Sequence, residues 1–388
     1  MKKLLIASAA LAMVAGTAQA QSSVTVYGII DTGYNNVENT TSAGVKTDTT
    51  QIRTNGEAST SRFGLRGTED LGGGVKANFV IESNIGNTNA NNTAGSTNLG
   101  DRLFWVGLED AKLGQLRLGQ QDSTVRSNWL AHDQLAFANV VGNLAHNQAG
   151  VANGTGSSDA AAGSHTAFNT AVNYLSPRIS GVQLTLGVMQ NESQAGTANK
   201  QKTGSGSQAG LSYQAGKFSA GLAYAEATTS VNAANATGVF ADNTPSDATS
   251  VGAPAVVAAS TKNKETSAAA SYDLGVAKVA YIYNKRDSKN ASDASTWASN
   301  VDRTSHSFSA SVPVGAKTVL RAGYGFGELR QGATSNYNAD IKGMQAAVNY
   351  SLSKRTTAYA IYGDESREIN ASTKAKTKEY SVGVRHSF

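Results

Sequence analysis

No cysteine occurs anywhere in the 388 residues, so neither a disulfide framework nor a thiolate metal site can be built. Beyond residue 20 no apolar run exceeds a few residues, whereas a membrane-crossing helix needs about 20. Any later membrane contact has to be made by strands. Proline is scarce, at four residues, while glycine reaches 40, a balance that suits many strands and turns better than a disordered chain. Charge of one sign is lacking too: the formal net charge is +5 with no basic run, which argues against a nucleic-acid partner. The histidines at positions 132, 146, 165, 306 and 386 show no HExxH spacing, so no metal site is expected. No G-x-S-x-G marks a nucleophile, and Gly72-Gly73-Gly74 lacks the Gly-Lys-Ser/Thr of a phosphate loop. The residues call for no cofactor and no enzyme.

One apolar run does exist, at the start. Lys2 and Lys3 precede Leu4 to Ala15, and Ala18-Gln19-Ala20 supplies the small-x-small pattern of a cleavage site. Residues 1–20 are therefore expected to be a signal peptide, with a single domain over 21–388 beginning at Gln21. Losing Lys2 and Lys3 lowers the net charge from +5 to +3.

The rest of the chain alternates with period two. Val182, Leu184, Leu186 and Val188 interleave with Gln183, Thr185, Gly187 and Met189, and the same rhythm runs through Phe218–Tyr224 and Met344–Leu352. Tight turns at Leu71–Gly74, Ala111–Gly114, Pro177–Gly181, Gln214–Gly216, Asp273–Gly275, Pro313–Ala316 and Ser353–Lys354 alternate with longer polar stretches. Those stretches fall near 35–60, 86–101, 123–165, 191–207, 228–260, 286–302, 329–339 and 364–378. Seven turns joining two strands each, with one strand before the first long loop and one after the last, make sixteen. The fold class is all-β: a transmembrane antiparallel barrel of 16 strands, closed because only closure satisfies every backbone group in lipid. A hydrophobic fraction of 40% fits a wall that needs apolar side chains on its outside alone. The first strand, Ser23 to Tyr34, and the last, Glu379 to Phe388, should pair at the seam, with Tyr380, Val382, Val384, His386 and Phe388 on one face.

At this point the residues resemble the general porins of Gram-negative outer membranes, in their neisserial-type branch. The likeness lies in the opening Ser22 to Asp31 and in the block Ser61-Arg62-Phe63-Gly64-Leu65-Arg66-Gly67-Thr68-Glu69-Asp70-Leu71-Gly72-Gly73-Gly74. It continues in Phe104-Trp105-Val106-Gly107-Leu108, in Gly114 to Gln121, and in the ending Val382-Gly383-Val384-Arg385-His386-Ser387-Phe388. The resemblance implies a general diffusion channel for ions and small hydrophilic solutes in the cell outer membrane. It also implies a homotrimer among lipid and lipopolysaccharide, with the long third loop folded into the lumen. Phe388 would be the signal read by the barrel-assembly machinery. One departure stands out: the sixth strand of the family carries an arginine before its Asn-x-x-Val-x-Tyr stretch, and the position here, near Ala167, is neutral.

A diffusion channel needs a narrow charged passage rather than a catalyst. Alternation turns Arg62 inward, opposite Phe63 and Leu65, and Arg117 inward between Leu116 and Leu118. Arg102, three positions before a Trp105 assigned to lipid, also falls inside. These arginines form a candidate basic wall on neighbouring strands. The facing acids are expected from the 123–165 loop, with Asp133 and Asp159, from Asp122 at its base, and from the inward Glu82 and Asp31. The blander reading is that these charges pair with one another and merely line the lumen. The pore is expected to be weakly anion-selective, with the neutral residue near Ala167 limiting the effect. An outer-membrane hydrolase and a surface adhesin are the alternatives, and neither has a site signature in the sequence. Intact mass of protein from outer membranes should match a chain starting at Gln21; a mass that includes Met1 to Ala20 would contradict export by cleavage.

Overall fold

The computed structural model describes residues 23–41, 43–54, 56–85, 99–135, 140–145, 167–195, 199–231, 259–290, 301–331, 337–370 and 373–388. The expected signal peptide lies outside them. The strands are β1 (Ser23–Thr40), β2 (Lys46–Arg53), β3 (Arg62–Gly72), β4 (Val75–Asn84), β5 (Leu103–Asp110), β6 (Gly114–Asp122), β7 (Ala167–Leu175) and β8 (Val182–Ala195). They continue with β9 (Asn199–Ala215), β10 (Phe218–Val231), β11 (Ala259–Asp273), β12 (Lys278–Asn290), β13 (Val301–Val314), β14 (Thr318–Gln331), β15 (Tyr337–Ser351), β16 (Thr356–Asn370) and β17 (Thr373–Ser387). A helix, α1 (Thr124–His132), follows β6.

Neighbouring strands run antiparallel, and β1 closes the sheet on β17 through a register that runs from Ile29 opposite Ser387 to Thr40 opposite Lys376. Seventeen segments occupy sixteen places in the wall. Along its other edge β1 pairs with β3 from Ser23 to Ile29 and with β2 from Gly33 to Thr40, so β2 and β3 are two halves of one interrupted strand. Between them Thr54 and residues 56–61 leave the ladder, and Glu57, Ala58, Ser59 and Ser61 are buried. Closure leaves no backbone edge to lipid, as a membrane barrel requires.

Side-chain alternation sorts the faces. Val182, Leu184, Leu186, Val188, Leu222, Val348, Val382 and Val384 are all exposed, with Leu222 and Val188 at 59%, which for aliphatic side chains marks a surface that meets lipid. The tight turns close as expected; Gly72, Gly73 and Gly74 all take positive φ, of +84°, +63° and +88°, which side-chain-bearing residues rarely adopt.

Two expectations are corrected. The polar stretches at 191–207 and 364–378 are mainly strand rather than loop, because β8–β9 and β16–β17 remain paired well beyond the apolar belt. Strands here reach 14–18 residues, since antiparallel backbones keep bonding where both faces are wet. The inner face is also less uniformly polar than a plain water-filled tube. Val125, Trp129, Phe168, Ala171, Met189, Ala223, Ala225 and Ile282 form a buried apolar cluster, and Ala58, Val140, Tyr359 and Ile361 form another.

At the seam, the Phe388 N–H donates to Gly28 O at 3.1 Å and the Gly28 N–H donates to Phe388 O at 3.2 Å. The Phe388 ring lies where a Cβ on Gly28 would stand, on the outward face. Phe388→Asp puts a carboxylate on that lipid-side seam, where charge is penalised. The yield of heat-modifiable barrel should fall several-fold while total chain stays constant; an undiminished yield would dismiss Phe388 as an assembly determinant.

Candidate functional site

The long-loop ends of β3, β4, β5 and β6 are neighbours, and they bring four of the expected residues together. Glu82 on β4 is the centre. Its Oε1 lies 2.7 Å from Arg102 Nε and 3.8 Å from Arg62 Nη1, and Tyr27 OH donates to its Oε2 at 3.0 Å. Arg102 also donates from Nη1 to Asn84 Oδ1 at 2.9 Å, and Arg62 from Nη2 to Ser59 Oγ at 2.8 Å. One carboxylate thus holds two guanidiniums that would otherwise repel. Both retain exposed surface, with side-chain accessibilities of 24% for Arg62 and 14% for Arg102, against 7% for Glu82.

A third cation, not anticipated from the sequence, joins them. Ser123 caps α1, its Oγ accepting from the Arg126 N–H at 3.0 Å. That cap places Arg126 one turn after Asp122, and its Nε stands 3.0 Å from Asp122 Oδ1. In the β6–β7 register Asp122 faces Ala167, the position where an arginine was expected. Arg126 is thus held by the residue whose register partner is the neutral strand position. The Ser at a β6 terminus, followed by Arg three residues later, was the available signal.

The segment after β6 lies against the face of the wall opposite the apolar belt. The Thr124 N–H donates to Gln208 Oε1 on β9 at 2.7 Å, Asn128 Nδ2 to Ser267 Oγ on β11 at 2.9 Å, and the Gln134 N–H to Ser309 Oγ on β13 at 3.1 Å. Further on, Gln345 on β15 donates to Val141 O at 3.0 Å, and the Val141 N–H donates to Glu379 Oε2 on β17 at 2.8 Å. Gly363 on β16 makes room for this approach, because a Cβ there would collide with the Val141 carbonyl.

Other expected residues sit elsewhere. Arg117 faces inward but stays away from the Glu82 group: its Nε donates to Gln115 Oε1 at 2.8 Å and its guanidinium lies 4.4 Å above the Trp105 ring. Trp105 itself is inward, sharing its face with Gly107 while Phe104, Val106 and Leu108 are exposed, so its assignment to lipid is corrected. Arg102 reaches the lumen because it precedes β5 and escapes the strand's alternation. Asp31 is fully buried and opposes no arginine wall; it accepts from Tyr359 OH at 2.6 Å and the Ser59 N–H at 2.7 Å, pinning the 54–61 segment. In that segment Glu57 pairs with Arg53 at 2.7 Å, yet burial, reinforced by Glu379, raises its carboxyl above the usual range. Asp133 is likewise internal to the loop, accepting from the Leu135 N–H at 3.0 Å and Asn143 Nδ2 at 2.8 Å, with burial raising its carboxyl. Asp159 lies outside the described residues.

A closed sixteen-place antiparallel barrel with an apolar exterior and arginines gathered inside defines a transmembrane channel of the outer-membrane type. The family model for Gram-negative porins matches residues 7–387. Outer membrane porin protein 32 of Delftia acidovorans is 32% identical over 92% of this chain and 88% of its own length. An outer membrane porin protein of Bordetella pertussis is 27% identical over the whole of both chains. Among solved structures, an anion-selective porin from Comamonas acidovorans matches with a TM-score of 0.67 at 24% identity, covering 95% of this chain and 100% of that one. The trimer form of OmpT from Vibrio cholerae matches with a TM-score of 0.64 at 14% identity, over 95% and 99%. The chain belongs to the Gram-negative porin family. It is a general diffusion channel of the outer membrane, in a family of channels rather than enzymes.

Gly363→Val tests the loop's seat on the wall. Overpacking at such a site costs about 1–3 kcal/mol. The 140–145 segment should be displaced, raising single-channel conductance and its variance; unchanged conductance in a folded variant would mean that this segment does not restrict the passage.

Proposed function

We propose that the passage narrows where α1 faces the long-loop ends of β3–β6, and that this constriction favours anions. The observation that carries the proposal is the set of three guanidiniums, Arg62, Arg102 and Arg126, held among the described residues against two carboxylates, Glu82 and Asp122. Fixed charge at a constriction biases which ions enter, and each anchored arginine keeps its position without reorganising. In this reading the 123–165 loop is the third loop folded into the lumen, supported by the bonds of Thr124 and Val141 to the inner face at β9 and β17. The similar porin from Comamonas acidovorans is anion-selective, which agrees in sign.

The assembly is a homotrimer in lipid and lipopolysaccharide, inserted by the barrel-assembly machinery; the trimer form among the similar structures supports it. The chain carries solutes and catalyses nothing. Within the family we place it in the neisserial-type branch, on the blocks around Arg62 to Gly74 and Val382 to Phe388.

Neutralising Arg62, Arg102 and Arg126 together should shift the reversal potential in a salt gradient toward cations and raise conductance. The shift should shrink at 1 M salt, where the Debye length falls to about 3 Å. Planar-bilayer measurements at two salt concentrations decide it, and an unaltered reversal potential would place the selective constriction elsewhere.

A further inference from the structure

Arg117 and Trp105 are set apart from the Glu82 group, and the constriction does not use them. They are diagonal neighbours across β5 and β6, and the residue directly opposite each is a glycine: Trp105 faces Gly119 and Arg117 faces Gly107. Across the β5–β6 ladder neither large side chain meets a competing one; on their other sides Trp105 faces Val80 of β4 and Arg117 faces Asn173 of β7. The guanidinium accordingly lies on the indole, 4.4 Å from the ring centre, an arrangement in which cation and π-face attract. Gln115, itself buried, fixes the rotation by accepting from Nε at 2.8 Å.

That geometry engages Nε and the face of the guanidinium, and among the described residues its terminal amino groups have no hydrogen-bond partner. No carboxylate within 4 Å pairs with Arg117 among the described residues. The nearby Glu109 is already bonded by Asn78 Nδ2 at 2.8 Å and Gln115 Nε2 at 3.5 Å. Both Arg117 and Trp105 are only half-buried, and alternation turns both away from the apolar exterior. Arg117 also lies five residues nearer the short turns than Asp122, about 17 Å along the strand at roughly 3.3 Å per residue.

We propose that Arg117, stacked on Trp105, is a second anion site below the constriction that binds small planar carboxylates in preference to halide. The proposal rests on the channel reading above and adds a substrate class to it. A guanidinium whose plane is fixed matches the two oxygens of a carboxylate, a match that neither a spherical chloride nor a lysine ammonium reproduces. Anions leaving the Arg62–Arg102–Arg126 group meet this site before the short-turn mouth. Planar organic acids are retained there, while chloride passes.

The test is benzoate added to protein conducting chloride in planar bilayers. The wild type should show saturable partial block, and Arg117→Lys, which keeps the charge but loses the fork and the stack, should need about tenfold more benzoate. Chloride reversal potential should be nearly equal in the two proteins, which also certifies that the variant is folded. As a second readout, Trp129→Phe with Trp297→Phe leaves Trp105 as the sole tryptophan, and 4-nitrobenzoate should quench it saturably. Adding Arg117→Lys should weaken that quenching in parallel. Equal block in both proteins, or no saturation in the wild type, would overturn the site while leaving the porin reading intact. Failure of the wild type to form open channels would instead overturn the porin reading, and the site with it.

Discussion

Every feature of this protein depends on one constraint: a peptide group in hydrocarbon must find its hydrogen bond within the protein. A chain with no long apolar helix among its described residues meets that demand only by a sheet with no edge, and here β1 joins β17 to remove the last one. Closure then forces side chains into two populations of opposite environment. Tyr380, Val382 and Val384 face outward on β17, while Glu379 and Ser381, alternating with them, are buried within. The barrel's interior is the place where charge can be concentrated without meeting lipid.

The interior is organised by carboxylates that hold arginines and by backbone that fills space. Glu82 holds Arg62 and Arg102 together, and Asp122 holds Arg126. Glu379 does something different, accepting from the Val141 N–H and standing 3.8 Å from Arg53, so it ties the segment after α1 to the split strand β2–β3. Acids therefore divide into those that position cations facing the passage and those, such as Asp31, Asp133 and Glu379, that fasten segments of chain to the wall.

The period-two pattern is a local property, and it made the strands, the short turns and the inward faces of Arg62, Glu82 and Arg117 readable in order. It failed where a residue stood outside the ladder or where two environments swapped. Trp105 was assigned to lipid as the alternation counterpart of an inward Arg102, whereas Arg102 stands outside the strand and Trp105, facing Gly119, lies inside beneath Arg117. Arg126 went unseen because a nine-residue helix inside a polar stretch carries little periodicity, and only its Ser123 cap marked it. Strand ends also went past their expected limits, because pairing continues where hydropathy no longer alternates.

The barrel itself was legible in the order of the residues, since alternation and turn spacing are written one position at a time and closure follows from the chemistry of lipid. The same alternation told which face each strand residue takes, and hence which charges are inside. Which of those charges meet is a property of the folded chain. Arg62, Glu82, Arg102, Asp122 and Arg126 converge because four strand ends and a helix arrive at one height, whereas Arg117 lies lower on its strand and Asp31 is covered by residues 54–61. The height of a residue within the barrel depends on register and on where a loop folds back, and both are set by contacts between residues far apart in the chain.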